Sequence, residues 1–241
     1  MSFSVYFLSG CVECYVVLIV YCFQRGLRLM KVLVTGSSFG IGRAIALKFL
    51  SEGFDVIGFD IADSQITNDR YVHYVQDICG ELPDLNDIDI IVNNAGIQEG
   101  DTIDVNLKGT IKVTEKYITP NIKSIVFIAS SSASTGSEFP EYAASKGGVV
   151  TYMKNVALRI AEYGATANSI SPGGVITDLN EHILNDENLY RQVLDETLLD
   201  KWAEPKEIAD FVYFVSVVNK SMTGEDIVID NGEKLKSNFI W

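Results

Sequence analysis

A tyrosine and a lysine, Tyr142 and Lys146, stand four residues apart in the stretch PEYAASKGG, which runs from Pro140 to Gly148. In a helix, residues four apart lie on one face, so a phenol and an ammonium group would project together. A phenol in isolation titrates at about pH 10, and a neighbouring cation favours its ionised form. Such a pair can exchange a proton near neutral pH, and the small residues around it leave room for a ligand.

A glycine-rich turn lies far upstream, in TGSSFGIG from Thr35 to Gly42. Its three glycines permit a tight turn and let backbone N–H groups approach a pyrophosphate at the start of a helix. A turn of this kind is weak evidence alone. Here an apolar strand pattern precedes it and a helical pattern follows it, as a dinucleotide site requires.

An acidic residue, Asp60, ends the next apolar run, 18 residues after Gly42. A carboxylate at the end of the second strand can accept hydrogen bonds from both ribose hydroxyls of an adenosine, and it repels a 2′-phosphate. An ordinary solvated aspartate would look the same by itself. After a dinucleotide-binding turn, the ribose role is favoured.

Short β-branched runs alternate with helical patterns along the chain. Continuous apolar strands that alternate with helices indicate a parallel sheet covered on both faces. The sequence therefore predicts an α/β fold, a single doubly wound, Rossmann-like domain of about seven strands. Predicted strands are 31–35, 55–60, 71–77, 123–130 and 225–230, with two more inside 87–96 and 165–174; predicted helices are 42–53, 105–119 and 142–163.

Composition excludes several classes of function. The chain has 241 residues and a formal net charge of -13, with no cluster of basic residues, which argues against nucleic acid or an anionic membrane as partner. Three of its four cysteines lie in the first 22 residues, so there is no disulfide framework, and a reducing, cytoplasmic location is expected. Cys11-x-x-Cys14 has no second pair and no nearby histidine, so no metal site is predicted.

The first 29 residues differ from the rest. An apolar run of 19 residues at 5–23 is followed by Arg25 and Arg28, without a basic leader or a cleavage motif. We expect the working domain to begin at Met30, just before the first strand, and the segment 1–29 to come from an upstream start. The alternative is a membrane anchor at 5–23, for which the length is borderline.

Three motifs occur together in a characteristic order: the G-x-x-x-G-x-G spacing of the turn, NNAG at 93–96, and Tyr-x-x-x-Lys at 142 and 146. With them the chain resembles the short-chain dehydrogenase/reductase family from residue 31 to about residue 236. The segments KWAEPKEIADF and DIVIDNG resemble members described as 3-oxoacyl-carrier-protein reductase-like. The resemblance implies an NAD(P)-dependent enzyme that acts on a small carbonyl compound or secondary alcohol.

The resemblance also implies a catalytic tetrad. Tyr142 would pass a proton to or from the substrate oxygen, and Lys146 would lower the pKa of that phenol and bind the nicotinamide ribose. Ser130 would hydrogen-bond the substrate oxygen, with Ser131 as the neighbouring possibility. Asn106 would hold a water that relays protons to the lysine.

A larger set of residues is implied to contact the cofactor. Phe39 and Ile61 occupy places where NADP-dependent members commonly carry a basic residue, so with Asp60 they predict NAD(H) in preference to NADP(H). The full set is Gly36, Ser38, Phe39, Gly40, Ile41, Gly42, Asp60, Ile61, Asp77, Ile78, Asn93, Ala95, Gly96, Tyr142, Lys146, Pro172, Gly173, Val175 and Thr177.

Two intervals are short for the family, 77–93 and 96–106, and they predict clipped third and fourth helices. The acidic, leucine-rich segment 179–202 stands where the family has its substrate loop, and such a loop is commonly a mobile lid. His73 and His182 have no partner in the sequence and are interpreted as structural or surface residues.

The resulting prediction is an oxidoreductase that moves a hydride between nicotinamide and a carbonyl carbon, in a homodimer or homotetramer. The substrate stays open among a 3-oxoacyl thioester, a hydroxysteroid and a sugar-type polyol. A non-catalytic dinucleotide-binding sensor is the alternative of another class. An intact tetrad argues against it, because a sensor has no need of both Tyr142 and Lys146.

Overall fold

The computed structural model describes residues 28–137 and 139–236. Its centre is one seven-stranded sheet in the order β3-β2-β1-β4-β5-β6-β7, with every neighbouring pair parallel. The order reverses between β1 and β4, where the carboxyl ends of the strands open a ligand crevice. The strands are β1 Lys31–Thr35, β2 Asp55–Asp60, β3 Tyr71–Val75, β4 Ile90–Asn93, β5 Ser124–Ile128, β6 Thr166–Pro172 and β7 Asp226–Ile229.

Helices lie on both faces of this sheet, as the continuous apolar strands predict. The α-helices are α1 Gly40–Ser51, α2 Thr110–Tyr117, α3 Ser132–Thr135, α4 Pro140–Ile160, α5 Glu181–Leu184, α6 Glu187–Leu194 and α7 Pro205–Tyr213. π-helical turns span Ile103–Gly109 and Phe214–Val218, and 3-10 turns span Ala161–Tyr163, Asp178–Asn180 and Glu233–Leu235. The predicted fold class is confirmed.

The core has one layer on each side of the sheet, because successive strand residues point to opposite faces. In β1, Val32 and Val34 pack with Phe49 of α1 on one side. Leu33 packs on the other side with Met153 of α4. Each of these side chains is fully buried, and full burial of one such side chain contributes about 1.5–3 kcal/mol.

The prediction of a clipped helix between β3 and β4 is wrong, because residues 76–89 form neither helix nor strand. The segment must return from one end of the sheet to the other, and an extended chain covers this distance in fewer residues than a helix does. Helix α2 supplies its hydrogen-bond partners instead. Lys112 Nζ donates to Cys79 O at 2.9 Å, and Tyr117 Oη donates to Pro83 O at 2.7 Å. The short helix predicted after Gly96 is present. It starts as the π-helical turn Ile103–Gly109 and continues as α2.

The described contacts begin at Arg28, two residues before the predicted start of the domain. Arg28 donates to the buried Asp89 carboxylate at 2.8 Å and to Asp87 O at 2.6 Å. The second Asp89 oxygen accepts from Lys31 N at 2.8 Å. Arg28 therefore supplies a second donor to a buried carboxylate that would otherwise have one. The start of the domain at Met30 stays a prediction.

We expect Arg28→Met to lower the free energy of unfolding by about 1–2 kcal/mol, because it leaves the buried Asp89 carboxylate short of a donor. Arg191→Met removes an exposed pair with Asp195 and is the matched control, with an expected change below about 0.5 kcal/mol. Urea unfolding of both variants measures the difference. Equal midpoints for the two would contradict the assignment.

The described helices include none long and apolar enough to cross a membrane. The apolar run at 5–23, with Cys11 and Cys14, lies outside the described residues. Both interpretations of residues 1–29 therefore stay predictions.

Candidate functional site

The glycine-rich turn lies between the carboxyl end of β1 and the start of α1. Gly36 and Gly40 have positive φ values of 66° and 49°, which side-chain-bearing residues rarely adopt. A Cβ on Gly42 would lie 1.9 Å from Gly36 O, so only glycine fits there. Phe39, at the N-cap of α1, makes no side-chain cap and the first turn carries no acid, which leaves the helix start suited to an anion.

Asp60 lies beside this turn, as predicted from its place at the end of β2. Its carboxylate accepts from Ser38 N at 2.9 Å and from Ala62 N at 3.0 Å. These two N–H groups fix the carboxylate while leaving lone pairs for a ligand. Phe39 and Ile61 are exposed next to it, with 49% and 74% of their surface accessible.

The NNAG stretch joins the ends of β1 and β4. Thr35 Oγ1 accepts from Asn94 N and Ala95 N, both at 3.0 Å, and Asn94 Nδ2 donates to Gly36 O at 3.0 Å. Sequence reasoning missed Thr35 and Asn94 as supports, although both lie inside the quoted motifs. Asn93 turns inward instead and donates to Thr114 Oγ1 at 2.9 Å, which ties β4 to α2.

The Tyr142–Lys146 pair lies on α4, which begins with Pro140 at its first turn, a position that suits proline. Lys146 is buried, and its Nζ donates to Ile128 O at 3.0 Å, at the carboxyl end of β5. The same nitrogen lies 5.7 Å from the centre of the Tyr142 ring. Tyr142 is only partly buried, whereas Lys146 is buried and fixed by its bond to Ile128 O.

Asn106 lies in the π-helical turn before α2, a distortion that is frequent at functional sites. Its Nδ2 donates to Ile97 O at 2.8 Å and Ser145 Oγ at 3.0 Å, and its Oδ1 accepts from Ile97 N at 2.8 Å. Ser145 Oγ in turn donates to Tyr142 O at 2.7 Å. With both amide hydrogens used, the side chain can only accept from a water, through the second lone pair of Oδ1.

Gly96 brings Asn106 and Lys146 together. A Cβ on Gly96 would lie 3.0 Å from Asn106 Oδ1 and 3.3 Å from Lys146 Nζ. Asn106 Oδ1 and Lys146 Nζ therefore both lie close to the backbone of Gly96, which has no side chain. The two predicted residues, far apart in the chain, are thus both buried beside Gly96.

Three serines follow β5, and all are buried. Ser130 Oγ accepts from Ser132 N at 3.2 Å, and this hydroxyl can still donate its own proton. The Ser131 backbone is bound on both sides, because its N–H donates to Pro172 O at 2.8 Å and its carbonyl accepts from Ser134 Oγ at 3.0 Å. The backbone of Ser131 thereby links the serine turn to the segment after β6.

We expect Ser130→Ala to lower kcat roughly a hundredfold, which is typical of losing one donor to a developing oxyanion. Ser131→Ala should be mild, and Ser132→Ala is the matched control from the same turn. Steady-state kinetics on the three variants distinguishes them. If Ser131→Ala were the severe one, the serine assignment would be displaced by one position.

The chain from the last residue of β6, Pro172, reaches the glycine turn at Thr177. A Cβ on Gly40 would lie 3.2 Å from Thr177 Cγ2, so these two predicted cofactor residues are adjacent. Gly174 packs on Trp202, whose ring would be 2.2 Å from a Cβ there. Sequence reasoning missed Trp202, and no motif marks it. Pro172 and Val175 are buried and so lie behind the crevice.

Asp77 and Ile78 follow the edge strand β3. Asp77 Oδ1 accepts from Cys79 N at 2.8 Å, and its residue is exposed. Ile78 is buried, and its Cδ1 would lie 2.7 Å from a Cβ on Gly109, which shows close packing on the π-helical turn. Ile78 therefore contributes to the core, and its contact with the cofactor stays a prediction.

The acidic segment 179–202, predicted to be a substrate lid and called the acidic lid for that reason, carries helices α5 and α6 and ends at Trp202, which packs edge-on against Tyr190. Its far end is anchored, because Leu198 N and Leu199 N donate to Asn231 O at 3.0 and 3.2 Å. Near this anchor, burial raises the pKa of the Glu233 carboxyl, and the carboxylates of Asp230 and Glu196 raise it further.

Within residues 28–137 and 139–236, no group of three or more histidine, cysteine, aspartate or glutamate side chains is placed to hold a metal ion. His182 is exposed on α5, as interpreted from the sequence. His73 is half-buried and hydrogen-bonded.

Comparison with known proteins identifies the family. The family model described as enoyl-(acyl carrier protein) reductase matches residues 73–234. The 3-oxoacyl-[acyl-carrier-protein] reductase FabG of Thermotoga maritima is 31% identical over 237 residues, covering 83% of this chain and 96% of the relative. The chain belongs to the short-chain dehydrogenase/reductase family of oxidoreductases.

Solved structures share the fold. The aldohexose dehydrogenase of Thermoplasma acidophilum superposes with a TM-score of 0.80 at 27% identity, covering 89% of this chain and 98% of that one. A 4-hydroxyisoleucine dehydrogenase complexed with NADH gives a TM-score of 0.75 at 26% identity, covering 86% of this chain and 100% of that one. The seven-stranded Rossmann-like architecture is thus common to enzymes with different small substrates.

Proposed function

We propose that this protein is an NAD(H)-dependent oxidoreductase that interconverts a small carbonyl compound and a secondary alcohol. The observation that carries the proposal is the meeting of Tyr142 and the buried Lys146 at the same strand ends as the glycine turn. Tyr142 and Lys146 supply a proton-transfer pair, and the glycine turn supplies an anion-binding site. A non-catalytic dinucleotide sensor would need only the second.

The residues fit a nicotinamide dinucleotide. The uncapped start of α1 suits the pyrophosphate, Asp60 suits the adenosine ribose, and the segment ending at Thr177 lies across from the glycine turn. When bound, the nicotinamide supplies or accepts the hydride.

The chain's own residues handle the proton and the oxygen charge. Tyr142 would donate its phenolic proton to the carbonyl oxygen as that oxygen gains charge, and would take it back in oxidation. Lys146 would stabilise the phenolate, and Ser130 would donate a hydrogen bond to the same oxygen. Asn106 would hold the π-helical turn and the Tyr142 backbone in register through Ile97 and Ser145.

Cofactor preference is proposed from the surroundings of Asp60. A 2′-phosphate would meet the fixed carboxylate, with Phe39 and Ile61 offering no positive charge. Arg43 is exposed one turn into α1 and is the cation nearest in sequence to the glycine turn. Solved relatives do not decide the matter, because one holds NADH and another, from Agrobacterium tumefaciens, holds NADP.

We expect kcat/KM to favour NADH over NADPH by at least about a hundredfold, and Asp60→Ala to reduce that ratio to below about ten, since like-charge repulsion is worth several kcal/mol. Both cofactors are to be measured with one substrate. Arg43→Met is the control and should leave the ratio unchanged. Equal use of the two cofactors, with NADPH activity lost in Arg43→Met, would mean that Arg43 binds the phosphate.

The substrate is proposed to be a 3-oxoacyl-type compound, following the FabG relative. A specific observation favours a second candidate, a neutral sugar-type alcohol. The lid carries many carboxylates, while its Arg191 and Lys201 are paired with Asp195 and Glu207. The lid acids are Glu181, Asp186, Glu187, Asp195, Glu196 and Asp200, and Asp178 directly precedes the lid.

A negatively charged lid repels anions such as coenzyme A thioesters more than it repels neutral molecules. The test is NADH absorbance with a neutral 3-oxo ester, acetoacetyl-coenzyme A, a hydroxysteroid and aldohexoses. Rising salt should increase kcat/KM for the thioester and leave the neutral ester unchanged. Binding of NADH without turnover of any carbonyl compound would favour the sensor.

The proposal includes an oligomeric state and a cellular location for the protein. A cytoplasmic homodimer or homotetramer is consistent with the family, and Leu158 on the outer face of α4 is 80% exposed in the single chain. Sedimentation of the wild type against Leu158→Glu tests whether this face is shared between copies.

A further inference from the structure

A chain of four hydrogen-bonded groups lies beside the glycine turn and Asp60. Ser37 Oγ lies 3.0 Å from Tyr71 Oη, and Tyr71 Oη lies 3.2 Å from His73 Nδ1. His73 Nε2 lies 2.9 Å from Ala62 O. We call this series, Ser37–Tyr71–His73–Ala62, the His73 chain. It connects the glycine turn to the segment after β2 by way of the edge strand β3.

The direction of the protons in the His73 chain follows from its last member. A carbonyl oxygen can only accept, so Nε2 carries the proton and donates to Ala62 O. When the ring is neutral, Nδ1 carries no proton and accepts from the Tyr71 hydroxyl. Tyr71 Oη is left to accept from Ser37, so every group in the chain has a defined role.

Gly58, in the middle of β2, makes room for this arrangement. A Cβ at Gly58 would lie 2.1 Å from Tyr71 Oη and 2.3 Å from Ser37 Oγ. Glycine weakens a strand, and its presence there marks a place where another group must come close. The Tyr71 and His73 rings are also stacked, with centroids 6.0 Å apart.

The His73 chain ends on the carbonyl oxygen of Ala62, the residue whose N–H holds Asp60. Ala62 N donates to Asp60 Oδ1 at 3.0 Å, and Ser38 N donates to Asp60 Oδ2 at 2.9 Å. Ser38 Oγ also donates to Ala62 O at 3.1 Å. Because residues 61–70 form neither helix nor strand, the backbone of Ala62 depends on these hydrogen bonds to side chains for its position.

We infer that His73 is a positioning residue, which fixes the Asp60 carboxylate for recognition of the adenosine ribose through its bond to Ala62 O. The inference rests on the proposed use of a nicotinamide dinucleotide. It concerns preorganisation: a carboxylate already held in place loses less freedom when the ligand binds. His73 touches neither the reacting atoms nor the crevice residues around Tyr142.

The binding test uses NADH fluorescence on the full chain. His73→Phe keeps the ring stacked on Tyr71 but removes both nitrogens, and we expect its Kd for NADH to rise about five- to twentyfold, the effect of one or two hydrogen bonds. Its kcat at saturating NADH should stay near the wild-type value. His73→Gln restores a donor to Ala62 O and should recover most of the affinity.

Tyr74→Phe is a matched control for Tyr71→Phe, because Tyr74 points to the opposite face of β3 and packs on Phe59. Tyr71→Phe should weaken NADH binding, and Tyr74→Phe should not. An unchanged Kd in folded His73→Phe would overturn the inference. So would an equal loss of affinity in the Phe and Gln variants, because that would indicate a merely structural position.

A second readout is independent of the cofactor. The chain has two histidines, so in a His182→Gln background the ¹⁵N resonances of the remaining ring belong to His73. We expect the neutral Nε2–H form. An Nδ1–H form would overturn the proton order of the chain. If the ring shows Nε2–H but the wild type binds no nicotinamide dinucleotide, the proposed function fails and the inference about Asp60 fails with it, while the hydrogen-bond chain stands.

Discussion

Replacing Tyr142 with Phe is expected to lower kcat by about 10²–10⁴, the range that a positioned general acid or base contributes. The change removes one oxygen and its proton, while the ring can stay beside the Lys146 ammonium. Binding of NADH should be nearly unchanged, because the glycine turn and Asp60 lie on other elements. Steady-state kinetics and NADH fluorescence on the same preparation measure both quantities.

The same substitution at Tyr152 is the matched control. Tyr152 lies on the same helix, but its hydroxyl donates to Glu115 at 2.6 Å on the outer side. Burial, with the Glu115 carboxylate, raises the pKa of this phenol, so Tyr152 is not suited to exchange protons near neutrality. Turnover should survive in Tyr152→Phe. Retention of a tenth or more of wild-type kcat in Tyr142→Phe would exclude this phenol as the proton donor.

The sheet could be predicted closely from the sequence, because strands buried on both faces are continuous apolar runs. Predicted strands 31–35 and 55–60 match β1 and β2 to the residue. The helices were displaced by about two residues, since α1 and α4 already begin at Gly40 and Pro140. Short-range patterns identify an element more readily than its ends.

The residues that were missed act through tertiary neighbours. Trp202 covers Gly174, and Gly58 admits the Tyr71 hydroxyl, yet neither has a spacing that marks it. His73 was interpreted as structural or surface because Ala62, and Ser37 beyond Tyr71, come near it only when β3 pairs with β2. Motifs identified the groups that would do the chemistry, whereas the groups that support them emerged only from the folded chain.

Gly42→Ala is expected to have the largest effect on the cofactor site. Its Cβ would lie 1.9 Å from Gly36 O and 2.5 Å from Asn94 Nδ2, and real Cβ atoms essentially never come so close. Gly36 O belongs to the backbone of the turn and cannot rotate away as a side chain would. Either α1 must move outward or the turn must open, and both displace the N–H groups that would face the pyrophosphate.

We expect Gly42→Ala to destabilise the fold by about 3 kcal/mol or more, as overpacking against backbone does, and to abolish NADH binding. For a chain of this size the melting temperature should fall by roughly 6–12 °C. Gly147→Ala is the matched control for stability, because its Cβ would be 3.6 Å from Ala133 O, an ordinary contact, in the interior of α4. There the greater helix propensity of alanine should leave the melting temperature unchanged or raise it. Thermal unfolding of both variants with and without NADH separates the effects. A Gly42→Ala protein that melts like the wild type and gains stability from NADH would show that the turn can relax without losing its ligand.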